Sequence, residues 1–171
     1  RRAIVDLYLK PGKIVSIRDL CLHFHISRTP AHDALVHLEQ EGLVTFLPQR
    51  GTMISKIDIA RVKEERFLRL CLEKEVMRLF MAGHTPEHIR QLEEKIAEQE
   101  ECVKANDLRR LVDADDEFHF VFYRAVGKRF CAQIVQNQLG SYRRVRLLTC
   151  VDAGIRKNVV REHREMMRAI Q

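Results

Sequence analysis

The stretch from Ser16 to Ser55 reads SIRDLCLHFHISRTPAHDALVHLEQEGLVTFLPQRGTMIS, and the order of its elements decides the fold. Ser16 precedes Ile17, Leu20, Cys21 and Phe24, an apolar stripe at i, i+3, i+4 and i+7 with a hydroxyl placed to cap its helix. His25-Ile26 makes a short turn. Ser27 is a second N-cap candidate, and Pro30 falls in the first turn of the next helix, where a missing N–H costs little. Ala34, Leu35 and Leu38 form that helix's apolar face, and Gly42 ends it. Leu43–Leu47 and Thr52–Ile54, joined by Pro48-Gln49-Arg50-Gly51, read as a β-hairpin. Upstream, Ile4, Leu7 and Tyr8 lie on one helical face before the break at Pro11-Gly12. Helix, helix, turn, helix, hairpin is the outline of a winged helix-turn-helix.

From Asp58 onward the pattern changes to long amphipathic helices. One runs from Asp58 to about Met81 and is closed by Gly83; another opens at Thr85-Pro86 and buries Ile89, Leu92, Ile96 and Val103. A third starts at Asn106-Asp107 and passes through Leu111, Phe118, Phe122 and Val126 to Gly127. A fourth spans Phe130 to Cys150, and a last begins near Arg156. The expected fold is therefore mostly α. Residues 1–55 form a winged helix-turn-helix of three helices and a small β-hairpin, and residues 56–171 form an all-helical bundle. Ser55-Lys56 leaves almost no linker, so the two units move together or not far apart. The chain opens at Arg1 without a Met and stops at Gln171 inside a helical pattern, so both ends are expected to be trimmed.

A length of 171 residues with 46% hydrophobic side chains excludes a disordered tail protein. No run of about 18 uncharged apolar residues exists, which excludes a helical membrane span and points to a cytoplasmic protein with no membrane partner. The five cysteines are odd in number, scattered and without a Cys-x-x-Cys, so they read as reduced, buried thiols. The formal charge of +6 invites a nucleic-acid partner, but residues 1–55 carry only +2, against −6 in residues 87–117 and +8 in residues 118–171. Arg143, Arg144 and Arg146 belong to that last basic segment, opposite an acidic one able to neutralise them within the fold or across a dimer.

The second helix of a helix-turn-helix enters the major groove with its N-terminal side chains toward base edges and phosphates. Here Arg28 can fork onto a guanine, Thr29 can bond a phosphate, and Arg18 on the preceding helix can meet the backbone. Arg50-Gly51 places a cation and an unhindered backbone at the wing tip, suited to a minor groove. The SRTP, the ALxxLExEGLV and the RG at the wing make the chain from Ser16 to Ser55 closely similar to the winged helix of GntR-family bacterial transcription regulators. The resemblance implies that Arg18, Arg28, Thr29 and Gly51 carry contacts to double-stranded operator DNA. It also exposes a departure: His32 stands where the family usually has an Arg, and a neutral imidazole is the weaker partner for phosphate or guanine.

Asp115 and His119 lie four apart in Asp115-Asp116-Glu117-Phe118-His119, on one helix face, so a carboxylate oxygen and an imidazole can converge on a cation. His163 on the last helix is a third candidate. His84 and His88 share that spacing, but Thr85-Pro86 between them marks a helix start, so they do not read as a metal pair. FLRLCLEKEVMRLF, DDEFHFVFYRAVGKRF and EHREMMRAI resemble, in order, the helical FCD-type effector domain of the FadR-like branch. In metal-binding versions one Asp and three His hold the ion, which implies Asp115, His119 and His163 as ligands here and a last His beyond Gln171. Such N/O ligands with open positions suit zinc, nickel or manganese, with the carboxylate of a small organic acid filling the rest. Arg69 matches a position that often faces the ligand cavity and can grip that carboxylate; a surface Arg69–Glu73 pair is the alternative.

No His-Glu-x-x-His, Gly-x-Ser-x-Gly or phosphate-cradling glycine loop occurs, so an enzyme is not expected. The reading is a ligand-responsive regulator, a repressor, working as a homodimer on a palindromic site. A metal-dependent small-molecule enzyme or a helical assembly module stands as the alternative.

Overall fold

The computed structural model describes residues 1–171. The chain runs through α1 (Arg2–Val5), β1 (Ile14–Val15), α2 (Ile17–Phe24), α3 (Arg28–Gln40), β2 (Val44–Leu47) and β3 (Gly51–Ile54). It continues through α4 (Ile59–Gly83), α5 (Pro86–Ala105), α6 (Leu108–Ala125), α7 (Arg129–Gln138), α8 (Gly140–Thr149) and α9 (Ala153–Ile170). A winged helix-turn-helix precedes an all-helical bundle, as the periodicity predicts. Ile4, Val5, Leu43, Val44 and Ile54 make the small N-terminal core, and Phe80, Leu92, Ile96, Phe118 and Phe122 centre the larger one.

Caps hold where hydroxyls and carboxylates precede helices. Ser16 Oγ accepts from the Asp19 amide at 3.0 Å, Asp58 from Ala60 at 2.8 Å, and Asp107 from Arg110 at 3.1 Å. Thr85 and His88 cap each other's backbone in a capping box, while the His84 ring stacks on Phe80. That histidine pair therefore has helix-end and packing tasks. Ser27 departs from expectation, since its side chain bonds none of the first-turn amides of α3.

Several other expectations are corrected. The first helix stops at Val5, and Leu7 has a φ of 61°; Ile4 enters the small core, Leu7 packs beside Val112, Leu147 and Cys150, and Tyr8 is exposed beneath the Arg109 guanidinium. The reason is Asp6, whose carbonyl accepts from Arg109 and whose carboxylate is gripped by Arg143, so the chain is held by the helical bundle where a longer helix would turn away. The hairpin gains a third strand: β1 pairs antiparallel with β3, giving the order β1-β3-β2 with Val15 opposite Thr52. The expected Phe130–Cys150 helix is two helices, broken at Leu139 (φ −92°, ψ 41°). There the bundle abuts the winged helix, and a Cβ on Gly140 would lie 3.0 Å from Leu43 Cδ2 and 3.4 Å from Val5 Cγ1. Glu65 of α4 then accepts from the Tyr142 amide at 2.7 Å, serving the first turn of α8 in place of a cap. The last helix starts at Ala153 behind Asp152, and Cys71 is an exposed thiol on α4, not a buried one.

Gly51 is needed by the sheet. Its φ is 103°, and a Cβ there would meet the Val15 carbonyl oxygen at 2.8 Å. Gly51→Ala should therefore lower the unfolding free energy by about 1–3 kcal/mol in denaturant titrations. Gly83→Ala, at a position with open space and no positive φ, should stay within about 1 kcal/mol of wild type.

Candidate functional site

On the winged helix, Ala31 and Leu35 anchor α3 inward, leaving Arg28, Thr29 and His32 exposed. His32 lies flat against Phe46 of β2 (centroids 5.9 Å apart), and the Glu39 carboxylate accepts from the Phe46 amide at 3.0 Å, so the wing is tied to α3. Arg18 and Arg50 are exposed, and neither they nor Arg28 enters an ion pair. Three cations and the uncapped amides of α3 are thus left without protein partners.

The helical bundle encloses a cavity of about 530 Å³ between α4, α6, α8 and α9. Asp115, His119 and His163 converge there, their ligating atoms all within 4.8 Å of one another. Asp115 and His163 are buried. Each histidine is oriented from behind. The Gln99 side-chain nitrogen donates to the Ala114 carbonyl at 3.2 Å, which turns its oxygen to His163 Nδ1 at 2.7 Å. An amide oxygen only accepts, so His163 donates through Nδ1 and keeps its Nε2 lone pair, 3.7 Å from Asp115 Oδ1. Glu73 Oε1 lies 3.1 Å from His119 Nδ1 and fixes that ring likewise, with Nε2 at 4.0 Å from Asp115 Oδ2. A histidine whose second nitrogen donates to an oxygen is the usual state of a metal-bound imidazole. The donor set fits a divalent cation.

Arginines control the acidic end. Arg146 bonds Asp115 Oδ2 and, at 2.5 Å, Asp116; Arg69 donates to Glu73 at 2.6 Å and stands 3.7 Å from Asp115. The Arg69 side chain is 8% exposed, so the surface-pair alternative is overturned; the pair exists, but inside the cavity wall. Burial alone would raise the Asp115 carboxyl's pKa, yet the guanidinium charges of Arg146 and Arg69 hold it well below the ordinary range. Asp116 also accepts from Arg143 at 3.0 Å, and Arg143 reaches Asp6 of the winged helix at 2.8 Å. Arg144 is fully buried at the junction and donates to the Ser55 carbonyl at 2.8 Å. Sequence reasoning brought Asp115, His119, His163 and Arg69 to one place but missed Glu73 and Gln99 as partners and left the three α8 arginines unplaced. A basic run opposite an acidic one was the available signal.

Residues 1–54 match the family described as "Bacterial regulatory proteins, gntR family", and residues 66–171 match "FCD domain". The chain belongs to the GntR family. It is a transcriptional regulator with an FCD domain, not an enzyme. This GntR regulator is 27% identical to the HTH-type transcriptional repressor RspR of Escherichia coli K12 over 171 residues, covering 100% of this chain and 75% of that one. It is 31% identical over 175 residues to an HTH-type transcriptional regulator in an unstable DNA locus of Streptomyces ambofaciens, covering 99% and 71%. Its fold superposes on E. coli McbR/YncC with a TM-score of 0.78 at 16% identity, covering 98% of this chain and 80% of that one. No helix is long and apolar enough to cross a membrane.

Burial lowers the His163 pKa from 6.5 to about 4 against the pull of Asp115, so the ring is neutral near pH 7. Its folded value lies below its unfolded one, so between those values the unfolded chain binds more protons and stability falls as pH drops. Unfolding titrations should show wild type losing stability from pH 6.5 to pH 4, and His163→Gln should flatten that part of the profile.

Proposed function

We propose that this regulator senses a small organic acid through a divalent cation held by Asp115, His119 and His163, and transmits occupancy to a pair of DNA-reading heads in a homodimer. The observation that carries the reading is the pair of imidazoles. Both are fixed through Nδ1, by Glu73 and Gln99, and both turn Nε2 toward Asp115 inside one cavity. Zinc, nickel or manganese suits this N/O set, and the bound ion would supply a Lewis-acidic seat for a carboxylate. Arg69 stands beside that seat and favours an anion there.

The division into a reading unit, residues 1–55, and a sensing and dimerising unit, residues 56–171, is part of the same proposal. Arg18, Arg28 and Arg50, on the helices and wing of the motif, are free for DNA, with Arg28 toward a base edge and Arg18 toward phosphate. Thr29 and the uncapped amides of α3 add phosphate donors. His32, packed on Phe46, contacts DNA at the edge of that set, and Gly51 brings the wing backbone close. A two-fold operator calls for a two-fold protein. The RspR relative is named a repressor, and repression is the proposed sense here.

Measurements on the metal side and on the DNA side test this. Asp115→Ala with His119→Ala should abolish metal content by elemental analysis and the effector response with it; retention of both overturns the site. Gln99→Ala should weaken metal binding about 10–100-fold by releasing the His163 ring. On the DNA side, Arg28→Ala should cost about 1–3 kcal/mol in operator affinity and relax sequence preference, whereas Arg18→Ala should weaken all sequences alike and lower the salt slope. Unchanged operator affinity in Arg28→Ala would sink the assignment of α3.

A further inference from the structure

Lys63, Arg66 and Arg69 line the cavity from successive turns of α4. At 1.5 Å per residue they stand about 4.5 Å apart along the axis, so Lys63 is about 9 Å from Arg69. Arg69 is committed to Glu73, Asp115 and Asp116. Lys63 and Arg66 are exposed and enter no ion pair, and the adjacent Glu65 is taken by Arg61 and the Tyr142 amide. Of the carboxylates lining the cavity, Glu73 and Asp115 are paired and only Glu162 of α9 is not. Two free cations against one free carboxylate leave the cavity mouth with surplus positive charge. Val62 and Leu70, also in the lining, give the same helix an apolar surface beside those cations.

We infer that Lys63 and Arg66 form a second anion subsite, and that the effector is a linear dianion. One carboxylate sits at the Asp115–His119–His163 centre, and the other reaches the Lys63–Arg66 pair about 5–9 Å along α4, with the connecting chain against Val62 and Leu70. This rests on the effector site proposed above and adds the ligand's second charge. An exposed cation discriminates modestly, because water screens it and its side chain must be ordered. A three- to tenfold gain, about 0.7–1.4 kcal/mol, is what a pair of them supplies.

Isothermal titration of the zinc-loaded protein with glutarate and adipate, against valerate and hexanoate of equal carbon number, tests this. At least one diacid should bind about three- to tenfold tighter than its monoacid. A Lys63→Ala, Arg66→Ala double variant, folded by circular dichroism and unchanged in zinc content, should bring that ratio to about one and hold monoacid affinity within about twofold. Equal binding of diacids and monoacids to wild type, or a preference that survives in the double variant, overturns the second subsite and leaves the first standing. Absence of binding by all four acids overturns the effector site itself and this inference with it.

Discussion

A line of ion pairs, buried at its two ends and half-buried between them, runs from Asp115 through Arg146, Asp116 and Arg143 to Asp6, and the placement of the surrounding elements depends on closing it. A buried carboxylate without a partner costs several kcal/mol, and Asp6 is 2% exposed. Arg143 meets that demand only if α8 runs along α6 and also reaches the end of α1. The break at Leu139, the termination of α1 at Asp6 and the close approach of Gly140 to Leu43 all satisfy that one requirement. Such pairs add little net stability over an apolar packing of the same shape, but removing a single member leaves an uncompensated charge and costs about 3–5 kcal/mol. They therefore fix an arrangement more than they strengthen it.

The same accounting reverses the meaning of the net charge. Part of the excess in residues 118–171 is consumed internally, since Arg143 and Arg146 face Asp6, Asp113, Asp115 and Asp116, and Arg164 faces Glu100. The winged-helix cations outside any ion pair are Lys10, Lys13, Arg18, Arg28 and Arg50, and the three arginines are the ones the helix-turn-helix order puts toward DNA. Position along the chain, not the sum of +6, distinguishes the two kinds of arginine.

Most of the fold was legible because it rests on local signals: hydroxyl and carboxylate caps, Gly42 and Gly127 at helix ends, and apolar stripes at helical spacing. What was not legible depends on distant contacts. Two residues, Ile14 and Val15, carry no period of their own and become a strand only against β3. The residues from Arg129 to Thr149 keep a helical pattern through Leu139, and only the winged helix packed on Gly140 forces the break. The site divides the same way. Asp115 and His119 share a turn and declare themselves, whereas Gln99 lies sixty-four residues from His163 and has no motif. Glu73 was visible only as a partner for Arg69, because the i, i+4 spacing cannot tell a solvated face from a cavity wall.

Coupling between cavity and DNA head needs a state change, not mere connection, since a ligand shifts an equilibrium only by its differential affinity for the two arrangements. For the sensor proposed above, the ion-pair line is the place where such a change would act. Asp115 presents Oδ1 toward His163 while Oδ2 holds Arg146, so a cation held at Oδ1 would draw on the charge that holds the guanidinium. Arg146 also pairs with Asp116 Oδ1 while Arg143 takes Asp116 Oδ2, and Arg143 in turn grips Asp6. A unit pair at about 4 Å in a protein-like dielectric is worth about 4 kcal/mol, so transferring a quarter to three quarters of one such interaction would cover a typical coupling of about 1–3 kcal/mol. In the homodimer proposed above, a change in how firmly α1 is held against α8 would reset the placement of one DNA head against the other, and half-site spacing on two-fold DNA is unforgiving of such a shift.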